Sequence, residues 1–227
     1  MSDPKPVHAT PGVLRRVSAC VGVVLAPNPG PMTLDGTNTW VLLAPGGTEA
    51  IVIDPGEDEP EHQQRVVEHV SGLGARVARI VVTHGHRDHD EGVPHFLDRT
   101  GSPVRGAGRG EAFTDGERIT LGDIDLRVLV TPGHTKDSVS FAWEDERLLL
   151  TGDTVLGRGT SIVAYPDGNL GSYLDSLDAM YAATGGYPYF IQAYGQVVWE
   201  LAPTSPITQG LLRDATATLW RPEGGDA

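Results

Sequence analysis

The stretch THGHRDHDEG (83–92) places three histidines and two aspartates in the seven positions from His84 to Asp90, directly after the apolar run ARIVV (78–82). Imidazole and carboxylate are good ligands for zinc and related transition ions. His84 and His86 are two residues apart, so an extended or tightly turned loop aims both at one ion. Asp88 and His89 are adjacent and point in different directions, which suits a second ion. A loop that follows a strand end is held firmly by the strand while its side chains stay free to ligate.

Two other stretches have the character needed to complete such a cluster. TPGHT (131–135) closes an apolar run with Pro-Gly and then presents His134, and LLLTGDT (148–154) is a strand whose end presents Asp153. Alone, each is an ordinary polar residue at a strand end. Beside the first cluster, they add a third imidazole and a carboxylate able to bridge two ions. The other histidines suit surface or packing roles: His62 and His69 lie on a polar helix, His95 in the helix after the loop, and His8 in a polar tail.

The elements that must position these residues are mostly short strands. RVSACVGVVL (16–25), NTWVLLA (38–44) and EAIVIDPG (49–56) are β-type runs separated by Pro/Gly turns. PEHQQRVVEHVSGLG (60–74) reads as a helix with Pro60 in its first turn and one apolar face of Val66, Val67, Val70 and Leu73. A helix over about 90–99 should follow the histidine-rich loop. Residues 117–131 read as a hairpin in which Ile124, Leu126, Val128 and Val130 alternate with polar partners. SVSFAW and RLLLTGD form a second hairpin, turning at 144–146. Ser172 and Asp175 look like a capping pair for SYLDSLDAMYAA, with an apolar face of Leu174, Leu177, Met180 and Tyr181. Two packed sheets with helices outside, an αββα four-layer sandwich of two mixed β-sheets, satisfies this pattern.

Composition narrows the functional classes. The 227 residues carry 17 basic and 30 acidic side chains, a net charge of −13. Such a surface repels polyanions, so nucleic acid is a disfavoured partner and a small molecule a favoured one. The single cysteine, Cys20, allows no intrachain disulfide and reads as a small buried hydrophobe. No run approaches 18 apolar residues and no signal-type segment is evident, so no membrane partner and a cytoplasmic location are expected.

THGHRDH resembles the T-H-x-H-x-D-H signature of the metallo-β-lactamase fold superfamily. IDPG (53–56), PGHT (132–135) and GDT (152–154) follow in that superfamily's order and approximate spacing. NPGPMTLDGTNTW (28–40) and TGDTVLGRGTS (151–161) resemble more narrowly its lactamase-beta-2-like hydrolase branch. The resemblance covers roughly residues 17–184. It implies an αββα sandwich with metals at one edge between the sheets. It also implies that His84, His86 and His134 bind a first zinc, that Asp88 and His89 bind a second, and that Asp153 bridges them. Asp88 is then the residue that orients the attacking hydroxide and relays its proton.

The chain departs from that pattern near its end. The superfamily supplies a further histidine to the second ion after the last helix, whereas here AYGQVV stands in that place and puts Tyr194 in the histidine's position. A phenol, titrating near pH 10, is a poor zinc ligand at neutral pH. Three readings stay open: a genuine substitution by Tyr194, an altered chain end, and a vestigial site. The organisation expected is a flexible segment over 1–16, a metallo-β-lactamase-like domain over 17–203 and an atypical tail over 204–227.

The function expected is hydrolysis of an ester, thioester or similar small molecule by a hydroxide activated by one or two zinc ions, with an impaired second site. Iron or manganese can fill such mixed sites as well. The alternatives are a metal-dependent endoribonuclease or phosphodiesterase, and a non-catalytic metal-binding member of the family. Oligomeric state is not legible.

Overall fold

The computed structural model describes residues 10–157 and 159–184. Tyr194 and the expected tail over 204–227 lie outside the described residues. The described elements form two sheets with helices on their outer faces. The first sheet has the order β1 (Leu14–Arg16), β2 (Val21–Leu25), β3 (Asn38–Leu42), β4 (Glu49–Ile53), β5 (Arg76–Val81) and β6 (Val104–Arg105). Its first three pairings are antiparallel and its last two parallel, the β4–β5 crossover being made by α1 (Pro60–Gly72). The helical turn α2 (Arg87–Asp90) and helix α3 (Val93–Thr100) connect β5 to β6.

The second sheet contains β7 (Arg118–Leu121), β8 (Ile124–Val130), β9 (Val139–Trp143) and β10 (Leu148–Leu150). Its described pairings are all antiparallel, in the order β10-β9-β8-β7. Helix α4 (Leu170–Ala183) follows it in the chain. No described helix is long and apolar enough to cross a membrane.

Three apolar clusters separate four layers. Between the sheets, Leu42, Ile51, Ile53 and Val81 meet Ile124, Leu126, Val128, Phe141 and Trp143. Outside the first sheet, Val66 and Val70 of α1 and Phe96 of α3 cover Val41, Val52 and Ile80. Outside the second sheet, Met180 of α4 covers Leu129, Ala142 and Leu149. β4 is buried from Ala50 to Ile53, as expected of a strand sandwiched on both faces. The αββα sandwich implied by the sequence is therefore the observed architecture, except that only the first sheet is mixed; in the second, hairpin connections leave the described strands antiparallel throughout.

Several local boundaries differ from the sequence reading, each for a physical reason. Residues 16–25 are not one strand: Arg16 ends β1, which pairs antiparallel with β2, Leu14 opposite Val24. Leu14–Arg16 thus belongs to the sheet and not to a flexible leader. The helix expected over 90–99 is split at Gly92, whose N–H donates to the Gly56 carbonyl at 2.9 Å, an approach so close that an added Cβ would lie 2.4 Å from the Glu57 carbonyl oxygen. In β8 the inward alternation ends at Val128, and Leu129 turns outward to meet α4. Helix α4 is capped by Asn169, whose side chain accepts the Ser172 N–H, and not by a Ser172–Asp175 pair.

The buried stripe of α4 also differs from the expected face. Ser176 and Met180 are buried, while Leu174 and Tyr181 are more than half exposed. The reason is polar anchoring. Ser176 Oγ donates to the Pro132 carbonyl at 2.7 Å, and Tyr173 Oη donates to the Thr154 carbonyl at 2.9 Å. These bonds fix the helix's rotation, and Leu174 turns away from the sheet as a result.

The layer between the sheets sets a packing prediction. Phe141 is fully buried there. Phe141→Ala should cost about 3–5 kcal/mol in urea denaturation, whereas Leu174→Ala should change stability by no more than about 0.5 kcal/mol.

Candidate metal centre

Four strand ends deliver the candidate ligands to one edge of the sandwich. β4 leads into Asp54, β5 into Thr83 and His84, β8 into His134, and β10 into Asp153. A backbone bond from Val139 N to the Thr83 carbonyl, 2.9 Å, joins the two sheets beside the cluster. Two glycines permit the close approach. A Cβ on Gly152 would stand 2.6 Å from Thr83 Oγ1, and one on Gly133 would stand 2.3 Å from Tyr173 Cα. Asn169 N donates to the Gly133 carbonyl, so α4 ties down the loops that carry both His134 and Asp153.

The histidine-rich stretch changes conformation midway. His86 is extended and stands at the N-cap of α2, so Asp88 and His89 ride on a helical turn. This separates the two halves of the motif. His84 Nε2 lies 3.0 Å from His86 Nδ1, and His134 Nε2 lies 3.0 Å from the same atom. His89 Nε2 faces the other way, 3.3 Å from both Asp88 Oδ2 and Asp153 Oδ1. Asp153 touches both halves, its other oxygen being 3.7 Å from His134 Nε2. The result is two groups, His84, His86, His134 and Asp153 in one and Asp88, His89 and Asp153 in the other. Within each, the possible ligand atoms all lie within 4.8 Å of one another.

Hydrogen bonds behind the rings decide which nitrogen faces inward. Thr83 Oγ1 donates to Asp54 Oδ2 at 2.8 Å, so it must accept from His84 Nδ1–H at 3.0 Å. His134 Nδ1–H donates to the Ile162 carbonyl at 2.6 Å. His89 Nδ1–H donates to Asp54 Oδ2 at 2.9 Å. In all three rings Nδ1 donates outward and Nε2 is the nitrogen turned to the cluster, as ring nitrogens behind a metal site are.

The donor set fits a transition ion. Nε2 of His84 and of His134 both converge on His86 Nδ1 at 3.0 Å, and one ring proton on His86 can serve only one of them, whereas a cation among the three would accept from all. For tetrahedral zinc with bonds of about 2.0–2.1 Å, ligand atoms sit about 3.3 Å apart, close to the spacing found. The second group offers one imidazole and two carboxylates among the described residues, two imidazoles fewer than the first.

Burial and charge set opposite protonation in the two halves. Desolvation, reinforced by neighbouring His89, pushes His84 down to about 2, keeping it neutral. His86 is also lowered, by burial and then by His134. Burial pulls His89 down too, but Asp54, Asp153 and Asp88 outweigh it and hold this imidazole well above its ordinary value. Burial alone would raise Asp88 and Asp153, yet the hydrogen bonds and charge of His89 leave both below the usual carboxylate range.

All six residues singled out by the sequence therefore converge. Others that shape the site had no assigned role: Asp54, Thr83 and the Ile162 carbonyl. Asp54 stood in the quoted IDPG, and its signal was a carboxylate directly after the apolar run Ala50–Ile53, where an acid needs several donors. Of the remaining described histidines, His69 packs against the segment that enters β1, where Leu14 N donates to it. His95 pairs with Asp58 at the surface, and His62 is buried under the 54–56 turn.

Comparison with known proteins agrees with this architecture. The family model of the metallo-beta-lactamase superfamily matches residues 32–111 and 101–184. The lactamase-like protein vrtG of Penicillium aethiopicum is 37% identical over 211 residues, covering 85% of this chain and 62% of that protein. An atrochrysone carboxyl ACP thioesterase of Aspergillus chevalieri is 33% identical over 199 residues, covering 83% and 60%. The chain thus spans less than two thirds of the length of either curated relative. Among solved structures, ETHE1 from Myxococcus xanthus superposes with a TM-score of 0.55 at 30% identity, over 63% of each chain. A metallo-beta-lactamase family protein from Thermus thermophilus gives 0.60 at 22% identity, over 73% of this chain and 70% of that one. With most of its described length matched by that family model, this chain belongs to the metallo-beta-lactamase superfamily.

Proposed function

We propose that the protein is a zinc-dependent hydrolase acting on a small ester or thioester. The observation that carries this is that Nε2 of His84, His89 and His134 faces the cluster in every case, each ring being held by an Nδ1–H donated outward to an acceptor behind it. The reading assigns His84, His86 and His134 to a first ion, Asp88 and His89 to a second, and Asp153 to both. Three imidazoles favour zinc at the first position. The second position has a single imidazole among the described residues, and Tyr194 stands where the family places another, so the second ion is the weaker one. A thioester is favoured within the ester class by the similarity to a relative named as an ACP thioesterase. The lone cysteine suits a reducing compartment such as the cytoplasm.

A divalent ion bound there supplies Lewis acidity and brings the pKa of water towards neutrality. The chain's own residues do the rest. Asp88 is half-buried and ionised, and Thr37 Oγ1 donates towards its Oδ2 from 3.5 Å. It accepts the proton of the attacking water as the new C–O bond forms. When the C–S bond breaks, that proton passes to the departing sulfur, giving a carboxylic acid and a thiol. Asp54 and Thr83 keep His89 and His84 in register throughout, and the Ile162 carbonyl does the same for His134.

The acidic charge disfavours RNA, and a metal-binding protein without turnover is the contrasting class. Elemental analysis after chelator-free purification and dialysis, together with turnover of a chromogenic thioester and a phosphodiester, separates the three. We expect one tightly held zinc, a second that dialyses away, and zinc-dependent thioester cleavage. Metal without turnover of either substrate would defeat the hydrolase reading. His84→Ala should lose the tight ion, whereas His62→Ala should keep it; equal retention in both would overturn the ligand assignment. Asp88→Asn should lower kcat for the thioester by about 100-fold or more, since a positioned base contributes on the order of 10²–10⁴.

A further inference from the structure

His62 is unusual among the described histidines outside the cluster, being 1% exposed and turned into the protein. It lies on α1, and its Nε2 is 2.9 Å from Thr39 Oγ1 on β3. Thr39 is itself fully buried, and its hydroxyl donates to the Asp54 carbonyl at 2.7 Å. A hydroxyl has one proton, so it accepts from His62, whose Nε2 must carry the hydrogen. Nδ1 of the same ring is buried with no hydrogen-bond partner among the described residues. Burial, and then the charge of Arg65, push His62 down to about 4, consistent with a neutral ring that holds a single proton at Nε2.

The other end of this chain of bonds is Asp54, a non-glycine residue at φ 54°. That left-handed conformation is uncommon for a side chain with a Cβ and persists where the surroundings hold it. Its carboxylate takes the Thr83 N–H at 2.7 Å, the Thr83 hydroxyl at 2.8 Å and His89 Nδ1–H at 2.9 Å. The His62 ring also underlies Gly56, whose carbonyl accepts the Gly92 N–H just beyond α2. A packing role alone asks only for bulk at position 62. A buried imidazole whose one proton is spent on Thr39, with its other nitrogen unpartnered, is costly for bulk alone.

We propose that His62 is a positioning residue for the second ion. Through the Thr39 hydroxyl it pins the strained Asp54 backbone, so that the Asp54 carboxylate keeps His89 aimed at the shared position with Asp88 and Asp153. This rests on the assignment of His89 to the second ion. The first group is served by a different support for His134, the Ile162 carbonyl, and reaches Asp54 only through Thr83. The effect therefore falls chiefly on the second ion, whose His89 meets Asp54 directly.

The test uses the full chain with His62→Leu, which keeps bulk without a donor, His62→Gln, which restores an amide donor, and Thr39→Val, which removes the linking hydroxyl. Zinc dissociation constants come from competition with a chromophoric chelator. The hydrogen-bonded Nδ1 proton of His89 is followed as a downfield proton resonance in metal-free protein. Disturbing a group behind a ligand typically weakens metal by about 10–100-fold. His62→Leu and Thr39→Val should therefore weaken the second zinc at least about tenfold and broaden or lose the resonance, with the first zinc within about twofold of wild type and His62→Gln close to wild type.

Unchanged second-zinc affinity with an intact resonance in Thr39→Val would overturn the proposal. So would parallel weakening of both ions, which marks a merely structural role. Should His62→Leu fail to fold, Thr39→Val decides alone. A wild-type chain that takes up only one zinc defeats the two-ion reading, and the resonance then decides the positioning role without metal.

Discussion

The buried carboxylate of Asp54 is the constraint around which the site is organised. An ionised acid 2% exposed at the end of an apolar strand is costly unless its lone pairs are filled. Here they are filled by a backbone N–H, a hydroxyl and an imidazole N–H. Each donor belongs to the stretch Thr83–His89, so satisfying Asp54 also fixes that stretch. Thr83 in turn orients His84, and His89 is oriented directly. One desolvated charge thus selects the tautomer of two rings that belong to different halves of the cluster.

The same electrostatics explain why the cluster is suited to cations. Asp54, Asp88 and Asp153 surround His89, and in the metal-free chain the proton on that ring is the positive charge that the described residues offer them there. Around His84 the balance is reversed: neighbouring imidazoles and burial exclude a proton. A divalent ion at either position relieves an existing imbalance. At the first, His84, His86 and His134 would hold it by nitrogens that already converge, and at the second it would take the place of a proton held by carboxylates. This asymmetry follows from which side chains face each half.

Much of this was legible in the sequence, because ligand chemistry and strand endings are local properties. His84, His86, Asp88, His89, His134 and Asp153 could be chosen by type and spacing, and the structure brings all six together. The four layers were legible from apolar runs of strand length and from the face of α1. What escaped was set by long-range contacts. The cap and rotation of α4 depend on Asn169, Ser176 and Tyr173 meeting the 132–135 and 151–155 loops, which no helical periodicity encodes. The break at Gly92 goes with its N–H donating to the Gly56 carbonyl, and the room for that approach with Glu57 and Gln63 beside it, all distant in sequence. Asp54 was visible as a residue but not as a hub, since its three donors are found only once β4 and β5 lie side by side.

That dependence on neighbouring strands reaches further, because the ligands come from both sheets. β4 and β5 run parallel in the first sheet, and β8 and β10, both antiparallel to β9, share a direction in the second. All four therefore end at the same edge. His84 and His134 meet only when the sheets are docked, and docking is driven by the apolar layer of Ile53, Val81, Leu126, Val128 and Phe141 beneath them. A hydrophobic layer has little directional preference of its own. Direction comes from the few polar links at the rim, the Val139–Thr83 backbone bond and the contacts of α4 with the ligand loops. Burial holds the two halves together, while these bonds set the register in which imidazoles from separate sheets come to lie 3.0 Å apart.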